Sequence, residues 1–132
     1  WADLARKVDV PFVMRDVALW AFTGPFFNER PAEAAEFAAA MAALDMDVPT
    51  YLAQLSVIQT HDATDRLGRI AAPTLVVAGE EDILIPVRLS KALQEAIPGA
   101  RWKTVPGGHA CMWETPDPFN AAFIDFVRSV SA

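Results

Sequence analysis

Two loops in this sequence hold side chains that can do proton chemistry together. Gly79-Glu80-Glu81-Asp82 offers an acid, and Pro106-Gly107-Gly108-His109 offers a base. Each loop closes a short apolar run. An acid and a histidine set just past the C-terminal ends of two parallel strands make two-thirds of a nucleophile–base–acid triad. Asp82 alone reads equally well as a turn former or helix-capping acid, and His109 alone as a loop histidine. Their joint placement turns the balance towards function. The glycines before His109 fit this, since a residue without Cβ lets the backbone turn back over a sheet. Glu80 and Glu81 remain rival acids on spacing alone. Cys111 lies two residues past His109. A Cys–His nucleophile pair needs side chains converging to about 3 Å, which neighbours in one loop rarely reach, so Cys111 reads as a small buried residue.

The elements that must position the pair follow from the pattern around them. Pro73 to Ala78 is short, apolar and β-branched without alternation, as in a strand covered on both faces. Gly79 ends it. Ile85-Pro86 opens a helix with Leu89, Ala92, Leu93, Ala96 and Ile97 as its expected buried face, and Pro98-Gly99 stops it. Arg101 to Val105 reads as a second strand, with enough alternation for a sheet edge. Asp117-Pro118 is a helix start, and Phe119, Ala122, Phe123, Phe126, Val127 and Val130 form the following stripe. The strand–helix–strand pass has the length of a right-handed crossover. Ligands of such sheets bind outside the carboxyl ends of the strands, where Asp82 and His109 both fall. Parallel neighbours lie about 4.8 Å apart, so the two loops can bring their side chains together.

Before Ala72 the pattern is helical. Asp9-Val10-Pro11 and Asp47-Val48-Pro49 each pair an N-cap acid with a first-turn proline. The first helix is expected to run through Phe12, Val13, Val17, Trp20 and Ala21 and to stop at Gly24-Pro25. Pro31 opens the second, with Glu33 and Glu36 early and Ala34, Phe37, Ala38, Met41 and Leu44 as its apolar stripe. Tyr51, Leu52, Leu55 and Ile58 carry the third towards His61. Trp20, Phe22, Phe26 and Phe27 cluster around the Gly24-Pro25 break. Core packing is the simpler account of them, and an apolar substrate pocket is the sharper one. Trp20 and Phe26, with Leu84 beside Asp82, are the candidate substrate-contacting residues. His61 with Asp62 and Asp65 matches no common metal spacing, and local bonding or helix capping accounts for it better.

With 132 residues the chain is one domain's worth of sequence, and at 53% hydrophobic and 21% charged it is globular in composition. A net charge of −6 without any basic run argues against nucleic acid and an anionic membrane surface. The lone cysteine excludes an internal disulfide and fits a reducing, cytoplasmic setting. No transmembrane span or secretory signal is read. The chain opens on Trp1, which points to a trimmed or proteolysed piece.

These residues resemble the C-terminal half of an α/β-hydrolase of the serine hydrolase type. The resemblance rests on Pro73-Thr74-Leu75-Val76-Val77-Ala78-Gly79-Glu80-Glu81-Asp82 with Pro86, on Ile97-Pro98-Gly99-Ala100, on Gly107-Gly108-His109, and on Glu114, Pro116 and Phe119-Asn120. It implies an α/β fold in two parts. Residues 1–69 would form a helical cap, and residues 70–132 would supply two parallel strands with flanking helices. His61-Asp62 with Asp65-Arg66-Leu67 resembles the segment leading from cap to strand. The resemblance makes Asp82 the triad acid and His109 the general base in hydrolysis of an ester, thioester, lactone or activated C–C bond. The cap implies a small, fairly apolar substrate, and no metal or organic cofactor is implied. A Gly-x-Ser-x-Gly nucleophile elbow is absent, and none of Ser56, Ser90, Ser129 and Ser131 is flanked by glycines. The chain alone is therefore expected to be inactive. Its first strand should keep an open edge for the nucleophile-bearing half or for a second copy in a homodimer. Two alternatives stand beside this: a dehalogenase-like enzyme with an aspartate nucleophile, and a non-catalytic binding domain on a hydrolase remnant. Epoxide hydrolysis is disfavoured, since its resemblance calls for two cap tyrosines and Tyr51 is the only tyrosine.

Overall fold

The computed structural model describes residues 1–131. Its backbone falls into two compact units. One comprises residues 1–19 and 24–62, the other residues 20–23 and 63–132.

The first unit is helical. α1 (Ala2–Lys7) carries Asp3 in its first turn and Arg6 and Lys7 in its last, each at the end the helix dipole favours. The apolar pattern marks no separate helix here. α2 (Val10–Asp16) starts as expected, with Asp9 Oδ1 accepting from Phe12 N–H at 2.6 Å. It is shorter than expected. Val17 N–H bonds to Met14 O at 3.3 Å, a tightened last turn that ends the helix. A short α3 (Ala18–Ala21) follows, of which Trp20 and Ala21 belong to the second unit. Gly24-Pro25 opens α4 (Gly24–Glu29) as well as closing the run before it, since a proline costs no hydrogen bond in a first turn. α5 (Pro31–Ala42) and α6 (Val48–Thr60) lie where the proline starts place them. Ala5, Val10, Val13 and Tyr51 form the core of this unit, so α1, α2 and α6 meet on it. His61 is the C-cap of α6 and donates its backbone N–H to Val57 O.

The second unit carries the sheet. A 3-10 turn (Thr64–Arg69) leads to β1 (Leu75–Gly79), α7 (Val87–Ala96) and β2 (Arg101–Val105). β1 and β2 pair in parallel, from Leu75 opposite Arg101 to Gly79 opposite Val105. A one-turn α8 (Cys111–Glu114) and α9 (Pro116–Val130) complete it. α9 starts before the expected Asp117 cap. Pro116 takes the first turn, while the Thr115 hydroxyl donates to Pro106 O at 2.6 Å instead of capping.

The helix faces differ from the pattern in one respect. Ile97 is buried, but Leu89 and Leu93 of α7 and Phe123, Val127 and Val130 of α9 stay exposed. Amphipathic stripes of this kind are built to be covered, and nothing among the described residues covers them. No helix among the described residues is long and apolar enough to cross a membrane.

Candidate active site

The acid loop leaves β1 in a tight turn. Asp82 N–H bonds to Gly79 O at 3.2 Å, and Asp82 Oδ1 accepts from the backbone N–H groups of Leu84 at 2.9 Å and Ile85 at 2.8 Å. This Asx-type turn fixes the carboxylate. It leaves Oδ2 directed elsewhere, and Oδ2 lies 3.0 Å from His109 Nδ1. The Asp82 side chain is 7% exposed and the His109 side chain 42%. The carboxylate is thus shielded while the imidazole reaches solvent. The bond assigns the Nδ1 proton to the Asp82 side. His109 Nε2 makes no hydrogen bond among the described residues.

The base loop is wedged between two backbones. A Cβ at Gly79 would lie 2.0 Å from Gly108 O and 2.6 Å from Gly107 O. One at Gly108 would lie 2.7 Å from Ala21 O. Gly107 has a φ of 106°, in the region that favours glycine. Glu81 N–H bonds to Gly107 O at 3.0 Å, and Glu80 N–H to Val105 O at 2.9 Å, so the acid loop and base loop are laced together along their backbones. Of the rival acids, Glu80 accepts from the Thr104 hydroxyl at 3.2 Å. Asp82 is the acid that meets His109.

Cys111 is buried. That burial, reinforced by the nearby Asp82 charge, pushes its thiol up from the ordinary 9.0, away from a reactive thiolate. Leu84 is half-buried beside Asp82. Trp20 is exposed and precedes Ala21, whose O accepts from Ala110 N–H at 2.8 Å. Phe26 lies in the other unit, 4% exposed, packed edge-on against Phe27 and stacked under the Arg30 guanidinium.

Glu114 went unread as a site residue. It is 7% exposed and accepts from Gly108 N–H at 2.8 Å, Thr23 N–H at 3.4 Å and the Thr23 hydroxyl. A lone Glu five residues after a histidine carries no periodic signal. Its main partner stands 91 residues earlier.

A family model described as the alpha/beta hydrolase fold matches residues 24–116. The chain belongs to the α/β-hydrolase family. The curated RutD protein of Azorhizobium caulinodans, named as a carbamate hydrolase, is 34% identical over 118 residues, which is 89% of this chain and 44% of that protein. The enol-lactonase of Burkholderia xenovorans LB400 superposes with a TM-score of 0.86 at 24% identity, over 96% of this chain and 48% of that one. Est816, described as an N-acyl homoserine lactone degrading enzyme, superposes at 0.69 with 30% identity over 95% of this chain and 50% of its own. This α/β-hydrolase chain thus spans about half the length, or less, of the proteins it matches. Its two parallel strands with flanking helices are a partial form of the family's fold.

Proposed function

We propose that this chain carries the acid and general base of a hydrolase acting on a small, fairly apolar substrate. The bond cleaved is an ester, thioester, lactone or activated C–C bond. The observation that carries the reading is the 3.0 Å contact between Asp82 Oδ2 and His109 Nδ1 beyond the ends of two parallel strands. In this reading Asp82 holds the Nδ1 proton and fixes the tautomer. Nε2 then takes the proton of a serine hydroxyl as its oxygen attacks the carbonyl carbon. The same proton passes to the leaving group; Nε2 next takes a proton from the water whose oxygen attacks the acyl carbon, and returns it to the serine oxygen as the acyl bond breaks. The names of RutD and Est816 support acyl chemistry and add carbamates to the substrates worth assaying. Leu84 and the exposed Trp20 would supply apolar contacts.

The nucleophile comes from polypeptide outside these residues. Ser56, Ser90 and Ser129 lie within α6, α7 and α9, Ser131 follows α9, and none bonds to His109. The second edge of β1 takes the next strand, from the nucleophile-bearing half or from a second copy. A single buried cysteine fits a reducing, cytoplasmic setting.

The test is an assay with p-nitrophenyl esters, lactones and carbamates. The 132-residue chain should show no turnover above buffer. The polypeptide that joins it to a nucleophile half should turn over, and Asp82→Asn should lower its kcat by about 10⁴-fold. Turnover of that longer protein that survives His109→Ala overturns the reading. His109-dependent turnover by the short chain alone would sink the claim that the nucleophile lies elsewhere.

A further inference from the structure

We propose that Glu114 is a positioning residue, which holds the backbone before His109 so that Nδ1 meets Asp82. The inference rests on the reading of Asp82 and His109 as acid and base, but its test does not need turnover.

The geometry is specific. Glu114 closes the one-turn α8, and its carboxylate is buried between two pieces of backbone. On one side Oε2 accepts at 2.8 Å from the N–H of Gly108, the residue immediately before His109. On the other, Thr23 gives its hydroxyl to Oε1 and its N–H to Oε2. Both Thr23 and Glu114 are buried, so these donors have no easy exchange with water. Next to this, Ala110 N–H bonds to Ala21 O at 2.8 Å. The histidine is therefore bracketed: the residue before it, Gly108, is tied to Glu114, and the residue after it, Ala110, to Ala21. With Gly107 at positive φ and Gly108 too close to Ala21 O for any Cβ, the loop has no side chains of its own to hold its shape. Glu114 supplies that hold from outside the loop. A carboxylate suits the place because it is acceptor-only and can take several donors at once. Glutamine would turn an N–H₂ towards donors that need an acceptor.

A purely structural glutamate would stabilise the fold without influencing which imidazole nitrogen carries the proton. A positioning residue would influence it, and only while Asp82 is there to accept. The experiment is ¹⁵N NMR of the His109 ring in the 132-residue chain at a pH where the imidazole is neutral, with His61 as the internal reference. Glu114→Gln should move His109 from the Nδ1–H towards the Nε2–H tautomer by at least half the change caused by Asp82→Asn. In an Asp82→Asn background the same substitution should do nothing further, because the two act through one contact. No tautomer change in the folded Glu114→Gln variant overturns the proposal. An equal change in both backgrounds also overturns it, since that marks a through-space charge effect. Should Glu114→Gln fail to fold, Thr23→Val removes the hydroxyl that steadies Oε1 while keeping the charge. The same comparison, with the same deciding outcomes, is then made on that variant.

Discussion

Asp82 divides its two carboxylate oxygens between two tasks: Oδ1 accepts from Leu84 and Ile85 N–H, and Oδ2 lies 3.0 Å from His109 Nδ1. The first task orients the second. An asparagine at position 82 has one acceptor oxygen for three donors. It can keep the turn only by facing its N–H₂ at the imidazole. Asp82→Asn should therefore reverse the His109 tautomer, leaving Nε2 protonated and unable to take a proton. The direct measurement is the disappearance of the Nδ1–H signal with the chain still folded. Retention of that signal would show that the carboxylate does not hold the tautomer.

Gly79 sits where β1 ends and the base loop crosses it. Its missing Cβ lets Gly107 and Gly108 carbonyls approach to distances that no side chain permits. Both obstacles are backbone, so neither can swing aside. Gly79→Ala should cost at least about 3 kcal/mol of unfolding free energy, at the severe end of overpacking effects. Gly68→Ala, with open space around the added methyl, should stay within about 0.5 kcal/mol. Urea unfolding of the two variants gives the comparison, and equal midpoints would refute the crossing geometry.

The sequence made the β1–α7–β2 unit and the Asp82–His109 contact readable because their signals are local. A β-branched run closed by glycine, a proline-started helix and a Gly-Gly-His turn each declare themselves within ten or so residues. Crossover geometry then brings the two loops to one end of the sheet. The Glu114–Thr23 contact had no such signal, since tertiary packing alone joins residues at opposite ends of the chain. The helix opened by Gly24-Pro25 was missed for a related reason: a proline marks a boundary without saying which side of it is helical. The split of the first expected helix at Val17, between α2 and α3, carries no breaker residue at all. The exposed Leu89, Leu93 and Phe123 show the converse. Periodicity names the face a helix is built to bury, and the burial then depends on a neighbour being there.

Cys111 provides a pH-dependent test. Burial, with Asp82 adding to it, raises the thiol above 9.0 in the folded chain. The unfolded chain therefore loses this proton first as pH rises. Unfolding then releases a proton in the window above about pH 9, so stability falls there and is untouched below it. Cys111→Ala should remove that part of the alkaline loss, read as the change in urea midpoint between pH 8 and pH 10. In the native chain at pH 8, labelling by a thiol reagent should be at least about tenfold slower than in denaturant, because burial both shields the sulfur and lowers its thiolate fraction. Fast native labelling would make Cys111 a candidate nucleophile again.

The free edge of β1 gives the last prediction. In a parallel ladder alternate residues of one strand bond to one neighbour. Thr74 O accepts from Arg101 N–H, and Glu80 N–H bonds to Val105 O, so the even-numbered residues face β2. Leu75 and Val77 then direct their N–H and C=O groups to the other edge, which has no strand partner among the described residues, while Gly79 O is taken by Asp82 N–H. A short apolar strand with such an edge pairs with another chain when nothing blocks it. The 132-residue chain should self-associate with rising concentration, and a nucleophile-bearing half should displace the second copy. Val77→Pro deletes one edge N–H without touching the ladder to β2, and it should return the chain to monomer mass in light scattering. A chain that stays monomeric at every concentration, and fails to bind the complementary half, would mean that the edge is not a pairing surface.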